Sequence, residues 1–134
     1  MRTPSQTVGP FFSIGLCDRP QNELPGGSVR VHGQVLDGEG APVADAMVEV
    51  WHPAVGFGRC GTDGKGAFEF LLPAAARHVE VLVFARGLLK PVLTRLYLAG
   101  DGAEDPTMVA RPEDGGLRWD VHLRGERETA FFEL

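Results

Sequence analysis

His78 and Glu80 stand two apart in the run Arg77-His78-Val79-Glu80-Val81-Leu82-Val83-Phe84. On a β-strand, side chains two apart leave the same face. Imidazole and carboxylate both bind divalent or ferric ions, so the pair could supply two metal ligands, with His52 or His122 as further donors. A polar strand face carries the same pair with no ligand role, and the residues alone favour that plainer reading. Arg86 follows the apolar run Val81-Leu82-Val83-Phe84-Ala85 directly. A guanidinium at a strand end can grip a carboxylate with two parallel hydrogen bonds. By position alone, a solvated turn cation describes Arg86 better.

Other chemical signals are weaker. Gly56-Phe57-Gly58-Arg59-Cys60-Gly61 matches GxGxxG, the glycine pattern of a dinucleotide loop. That chemistry needs a helix N-terminus facing the pyrophosphate. Here the run leads into the turn Thr62-Asp63-Gly64-Lys65-Gly66 and another apolar stretch, so the match reads as chance. The serines, Ser5, Ser13 and Ser28, stand on no GxSxG elbow. Cys17 and Cys60 form no CxxC, and fit isolated reduced thiols better than a disulfide scaffold.

The elements that must position these residues are strands. Val79, Val81 and Val83 alternate with His78, Glu80, Leu82 and Phe84, a period of two rich in β-branched side chains. Ala85 to Val92 reads as a connection and Leu93 to Ala99 as a returning strand. This is the longest apolar region of the chain, so it should be central. Val29 to Leu36 places Val29, Val31, Gly33 and Val35 on one face and Arg30, His32 and Gln34 on the other. Asp37-Gly38-Glu39-Gly40 is a turn signal. Ala46 to Trp51 sets Val48 and Val50 against Met47, Glu49 and Trp51. Ala67 to Leu72 follows the second turn as part of a hairpin. Leu117, Trp119, Val121 and Leu123 alternate with Arg118, Asp120 and His122, which predicts one strand over 117–123. Residues 101–116 read as an acidic surface loop and 128–134 as a short last strand. No helical period of useful length occurs.

Seven or eight short strands between turns predict an all-β fold, an antiparallel β-sandwich of prealbumin-like type with an extended N-terminal arm. Residues 1–28 form the arm and linker, and 29–134 the single sandwich domain. Phe11, Phe12, Ile14 and Leu16 are too apolar to hang in water, so the arm should dock on something. The 134 residues suffice for one core. A net charge of −5 gives no global field for nucleic acid or an anionic membrane. The start lacks a signal-peptide run and no stretch could span a bilayer, so a cytoplasmic protein is expected.

Several segments together resemble the intradiol ring-cleavage dioxygenases, of the two-chain kind that opens protocatechuate. Thr3-Pro4-Ser5-Gln6-Thr7-Val8-Gly9-Pro10-Phe11-Phe12 is similar to the N-terminal signature of that family. Val43-Ala44-Asp45-Ala46 and Val48-Glu49-Val50-Trp51 resemble its first β segment. His78-Val79-Glu80-Val81, Phe84-Ala85-Arg86-Gly87 and Thr94-Arg95-Leu96-Tyr97 resemble its central strands. Trp119-Asp120-Val121-His122-Leu123-Arg124-Gly125 and Glu128-Thr129-Ala130-Phe131-Phe132 resemble its C-terminal pair.

The resemblance implies a division of labour. In the family a β chain holds ferric iron with two tyrosines and two histidines, the latter as HxH on the central strand. An α chain shares the fold without a working metal set. This sequence has one tyrosine, Tyr97, and reads His78-Val79-Glu80 where the β chain has HxH. It therefore resembles a shortened α chain, with no metal of its own and Fe(III) in the partner β subunit. His78 and Glu80 become vestigial metal positions. Thr7, Gly9, Pro10 and Arg86 become wall residues of a shared cavity that takes a catechol and O2. The apolar arm, Phe131 and Phe132 become candidates for the surface buried against β in an αβ hetero-oligomer. The expected reaction converts protocatechuate and O2 to 3-carboxy-cis,cis-muconate. The competing readings are a stand-alone β-sandwich binding module and an independent metalloenzyme using His78 and Glu80.

Overall fold

A computed structural model of the chain describes residues 21–88, 90–124 and 128–132. Among these residues the chain forms nine strands, two short 3-10 turns and no α-helix. The strands are β1 (Val29–Leu36), β2 (Met47–His52), β3 (Gly56–Gly61), β4 (Ala67–Leu72), β5 (His78–Phe84), β6 (Val92–Tyr97), β7 (Arg111–Glu113), β8 (Gly116–Arg118) and β9 (Val121–His122). One sheet runs β4-β1-β8-β7, with β9 also paired to β1; the other runs β3-β2-β5-β6. The expected all-β sandwich is present.

Strict alternation makes the core. Val31, Val35, Phe68, Phe70 and Leu72 of the first sheet meet Val48, Val50, Val79, Val81, Val83 and Leu96 of the second. Val79, Val81 and Val83 are fully buried, while His78, Glu80 and Leu82 are half-buried on the opposite face of β5. β5 lies between β2 and β6, interior to its sheet as its apolar sequence predicts.

The sheets are not wholly antiparallel. β8 and β9 both run parallel to β1. The predicted strand over 117–123 divides into these two, and the cause lies at Gly33. A Cβ at Gly33 would stand 1.6 Å from the carbonyl oxygen of Trp119, so the backbone of Trp119 crosses β1 where no side chain exists. The Trp119 N–H donates to the His32 carbonyl at 2.9 Å, and the Gln34 N–H donates to Asp120 Oδ1 at 2.9 Å. A carboxylate thus replaces one backbone acceptor, and pairing resumes at Val121. The Trp119 indole drops into the core and donates to the Thr107 carbonyl at 2.9 Å.

β3 is an element that periodicity did not predict. All six of its residues pair with β2. Residues 21–24 then join the two sheets along one side, through bridges from Gln21 to Arg59 of β3 and from Glu23 to Leu71 of β4. Leu24 is buried there, and a Cβ at Gly58 would lie 2.5 Å from its Cδ1. Of the glycines that resemble a dinucleotide loop, Gly58 instead thins a strand so that Leu24 can pack. The part of the predicted arm over residues 1–20, with its apolar segment and Cys17, lies outside the described residues. Cys60 is a free, half-buried thiol.

The predicted loop over 101–116 holds more order than its composition suggests. Asp105 Oδ1 accepts from the Thr107 N–H at 2.9 Å and caps a 3-10 turn over Pro106–Met108, and β7 then pairs with β8. The predicted last strand reduces, among the described residues, to one bridge between Phe132 and Leu93. Edge-strand β6 receives it through a Phe132 N–H to Leu93 carbonyl bond of 2.7 Å.

Because the neighbour at Gly33 is backbone, rotamer change cannot relieve an added methyl. Gly33→Ala is expected to cost about 1–3 kcal/mol or more in denaturant unfolding. Gly64→Ala, where nothing lies within 4 Å, is the matched control and should unfold like the parent. Equal midpoints for the two variants would contradict the close approach.

Candidate functional site

The outer face of β3-β2-β5-β6 carries the His78–Glu80 pair. Antiparallel register sets His78 opposite Tyr97 and Glu80 opposite Arg95. The His78 and Tyr97 rings lie 5.1 Å apart at 35°, and the His52 ring meets His78 edge-on at 6.1 Å. Glu80 Oε1 accepts from Arg95 Nη2 at 2.8 Å and from Nε at 3.0 Å. Arg95 Nη1 reaches Glu104 Oε2 at 2.8 Å and the Tyr97 hydroxyl oxygen at 3.2 Å. The Tyr97 hydroxyl in turn donates to Glu104 Oε1.

This network shifts two of its members, Glu104 and Arg95. The hydrogen bond from Tyr97 holds the Glu104 carboxyl below the usual glutamate range, with Arg95 adding to the effect. The Glu80 and Tyr97 hydrogen bonds hold the Arg95 guanidinium above the ordinary arginine value. One row across, Glu49 pairs with Arg59 at 3.2 Å; burial pushes its carboxyl up and Arg59 pulls it down.

The donor set fits poorly with a ferric centre. Glu80 is held by Arg95, and Tyr97 commits its proton to Glu104, whereas a metal-bound tyrosine must give that proton up. Among the described residues, no three His, Cys, Asp or Glu side chains converge as a metal site requires. The two histidines expected as further donors part company. His52 contacts His78, while His122 lies on β9 in the other sheet.

Arg86 sits elsewhere. It is exposed on the turn after β5, where Gly87 has φ +83° and the Leu88 N–H donates to the Ala85 carbonyl at 3.2 Å. His78 is at the other end of β5, roughly 25 Å away at strand rise. Arg86 borders a cavity of about 680 Å³ with Arg124, Leu88, Leu123 and the acidic side chains Asp37, Glu39 and Asp45. No carboxylate among the described residues forms an ion pair with Arg86. Arg124, from the segment Trp119-Asp120-Val121-His122-Leu123-Arg124, was not among the expected wall residues. Thr7, Gly9 and Pro10 lie outside the described residues.

A second hollow, about 540 Å³, lies on the outer face of the β5 sheet. Trp51, Phe57, Leu82, Leu93 and Phe132 line it, with Glu49, Glu80 and Arg95. Phe131, expected at a partner surface, packs partly against the core instead, whereas Phe132 faces this hollow.

The Tyr97–Glu104 bond makes a pH prediction. A carboxyl depressed in the fold contributes stability above its unfolded pKa and loses it as pH falls through its folded value. In Tyr97→Phe the Glu104 resonance should titrate at higher pH, nearer an ordinary glutamate, in an NMR carboxyl titration. Acid unfolding should begin at correspondingly higher pH. An unchanged Glu104 titration would remove Tyr97 as the cause.

Comparison with known proteins places this geometry. The protocatechuate 3,4-dioxygenase alpha chain of Burkholderia cepacia is 32% identical over 99% of this chain and 98% of that one. The alpha chain of Pseudomonas putida is 29% identical over 98% of this chain and 96% of that one. The first alignment runs over 192 positions against a chain of 134, so the relative carries segments absent here. The beta chain of the Burkholderia cepacia enzyme is 31% identical over 66% of this chain and 52% of its own length. No protein-family model matches. Among solved structures, the dioxygenase domain of a dioxygenase carbohydrate-binding fusion from Streptomyces sp. SirexAA-E superposes with a TM-score of 0.62 at 21% identity, over 79% of this chain and 88% of that one. Catechol 1,2-dioxygenase from Pseudomonas arvilla C-1 gives 0.57 at 20% identity, over 78% and 57%. These structures share the sandwich, and the alpha chains align with nearly the whole of this chain. The chain belongs to the intradiol ring-cleavage dioxygenases, in the group of the protocatechuate 3,4-dioxygenase alpha chains.

Proposed function

We propose that the chain is the non-metal-binding α subunit of a protocatechuate 3,4-dioxygenase and works only beside a β chain that holds ferric iron. The observation that carries this reading is the single phenol. The chain's one tyrosine bonds to Glu104, so a centre built on two tyrosinates has to come from another chain. The near full-length match to alpha chains supports the same reading.

In this reading the partner's iron supplies the activation of the catechol ring toward O2, and the product is 3-carboxy-cis,cis-muconate. This chain's contribution is wall and charge. Arg86 offers a guanidinium with no described carboxylate partner, at the mouth of a cavity large enough for one aromatic ring. There it holds the substrate carboxylate or an anion developing on the ring. Buried Ala85 anchors the turn behind it. By the family resemblance Thr7, Gly9 and Pro10, outside the described residues, belong to the same substrate site. His78 and Glu80 are the remnant of a duplicated site, with Arg95 now neutralising the acid.

Co-expression with the β chain of the same organism tests the reading. The expected product is a coloured complex that consumes protocatechuate and O2, with iron stoichiometric to β and activity only when both chains are present. Iron bound by this chain alone, with ring cleavage, would overturn it. A colourless monomer that never takes the β chain would favour the stand-alone binding module. In the assembled complex, Arg86→Ala should lower kcat/KM by roughly tenfold or more, the value of one charged hydrogen bond, without loss of iron. Parental kinetics in that variant would remove Arg86 from the site.

A further inference from the structure

We propose that Arg124 is a second carboxylate-binding residue of the cavity that Arg86 borders. The two guanidiniums together make the assembled enzyme prefer a catechol bearing one ring carboxylate over unsubstituted catechol. The proposal rests on the α-subunit reading and adds to it a residue that sets specificity.

Most described arginines are already paired. Arg30, Arg59, Arg95, Arg111 and Arg118 each lie against a carboxylate. Among the described residues Arg77, Arg86 and Arg124 have no such partner. Arg77 precedes β5, at the end of that strand away from Arg86. Arg86 and Arg124 are exposed and border the same cavity of about 680 Å³.

Packing fixes the backbone at both positions. Ala85, just before Arg86, is buried, and its carbonyl accepts from the Leu88 N–H at 3.2 Å. Leu123, just before Arg124, packs partly against the core, and its N–H donates to the Leu36 carbonyl at 2.9 Å. A ligand held by these guanidiniums therefore orders two side chains and no loop, which keeps the entropic cost of binding small.

The acids of the cavity limit what it takes. Asp37, Glu39 and Asp45 all come from the connection between β1 and β2. Pairing of β9 with β1 brings Arg124 to the start of that connection, and pairing of β2 with β5 brings Arg86 to its end. Asp37 commits Oδ1 to its own turn, accepting from the Glu39 and Ala41 N–H groups at 2.9 Å. Two bases and three acids line the cavity, so no net positive field gathers a polyanion there. What remains is short-range donor capacity. A single carboxylate accepts paired N–H donors from a guanidinium. A doubly charged phosphate is repelled more strongly by the three acids. An aromatic ring with one carboxylate matches that balance, and Leu88 and Leu123 offer the ring apolar contact.

The test uses the complex assembled with the β chain of the same organism. Protocatechuate and catechol are the probes, with catechol scored as substrate or as competitive inhibitor. Arg124→Gln should raise KM for protocatechuate roughly tenfold, the value of one charged hydrogen bond, with kcat near the parent's. Its constants for catechol should not move, so the preference for the carboxylated ring falls by the same factor. Arg124→Lys should recover part of that preference, because it keeps the charge and loses the fork. Lys65→Gln removes an exposed charge elsewhere and should leave both probes at parental values. Because Arg124 is exposed, assembly, iron content and the thermal midpoint should stay parental. If Arg124→Gln keeps the parental preference, or weakens both probes alike, Arg124 sets no specificity while the α-subunit reading stands. Loss of assembly in both Arg124 variants would make the residue structural and overturn the proposal. If the parental complex never forms, or forms without opening protocatechuate, both readings fall together.

Discussion

The crossing of Trp119 over Gly33 is the contact on which much of this architecture turns. Two backbones approach more closely there than any side chain allows. The chain must leave β1 for two residues, and Asp120 fills the vacated bonding position with its own carboxylate. Because the strand resumes as β9, the Leu123 N–H reaches the Leu36 carbonyl at 2.9 Å. That contact delivers Leu123 and Arg124 to the cavity that Arg86 borders. A missing methyl group on one strand thus decides where a guanidinium from the far end of the chain arrives.

The core was legible because its signal is local. Val79, Val81 and Val83 announce a buried face by type and spacing, and the structure buries all three. β3 was illegible for the opposite reason. Gly56, Gly58 and Gly61 erase the alternation, and the need for a glycine at 58 depends on Leu24, far off in sequence. The break at Trp119 was hidden for the same cause, since Leu117 to Leu123 alternates cleanly and only a residue more than eighty positions earlier interrupts it. Parallel pairing to β1 likewise follows from chain path rather than local pattern.

The site divides in the same way. Spacing placed His78 and Glu80 on one face, and register alone revealed that Arg95 and Tyr97 stand opposite them. Glu104 comes from a loop whose approach nothing local encodes, yet it accepts from both Arg95 and Tyr97. A face that could carry metal donors is occupied by ion pairs and hydrogen bonds.

Residues 21–24 carry a further consequence. They lie along β3 and β4, the outermost strands of the two sheets on one flank, and occupy backbone groups on both. Open strand borders recruit foreign strands, so a short stretch of linker here serves as a seal against ribbon-like self-assembly. A chain starting downstream of Leu24 would lose that seal together with one buried core side chain.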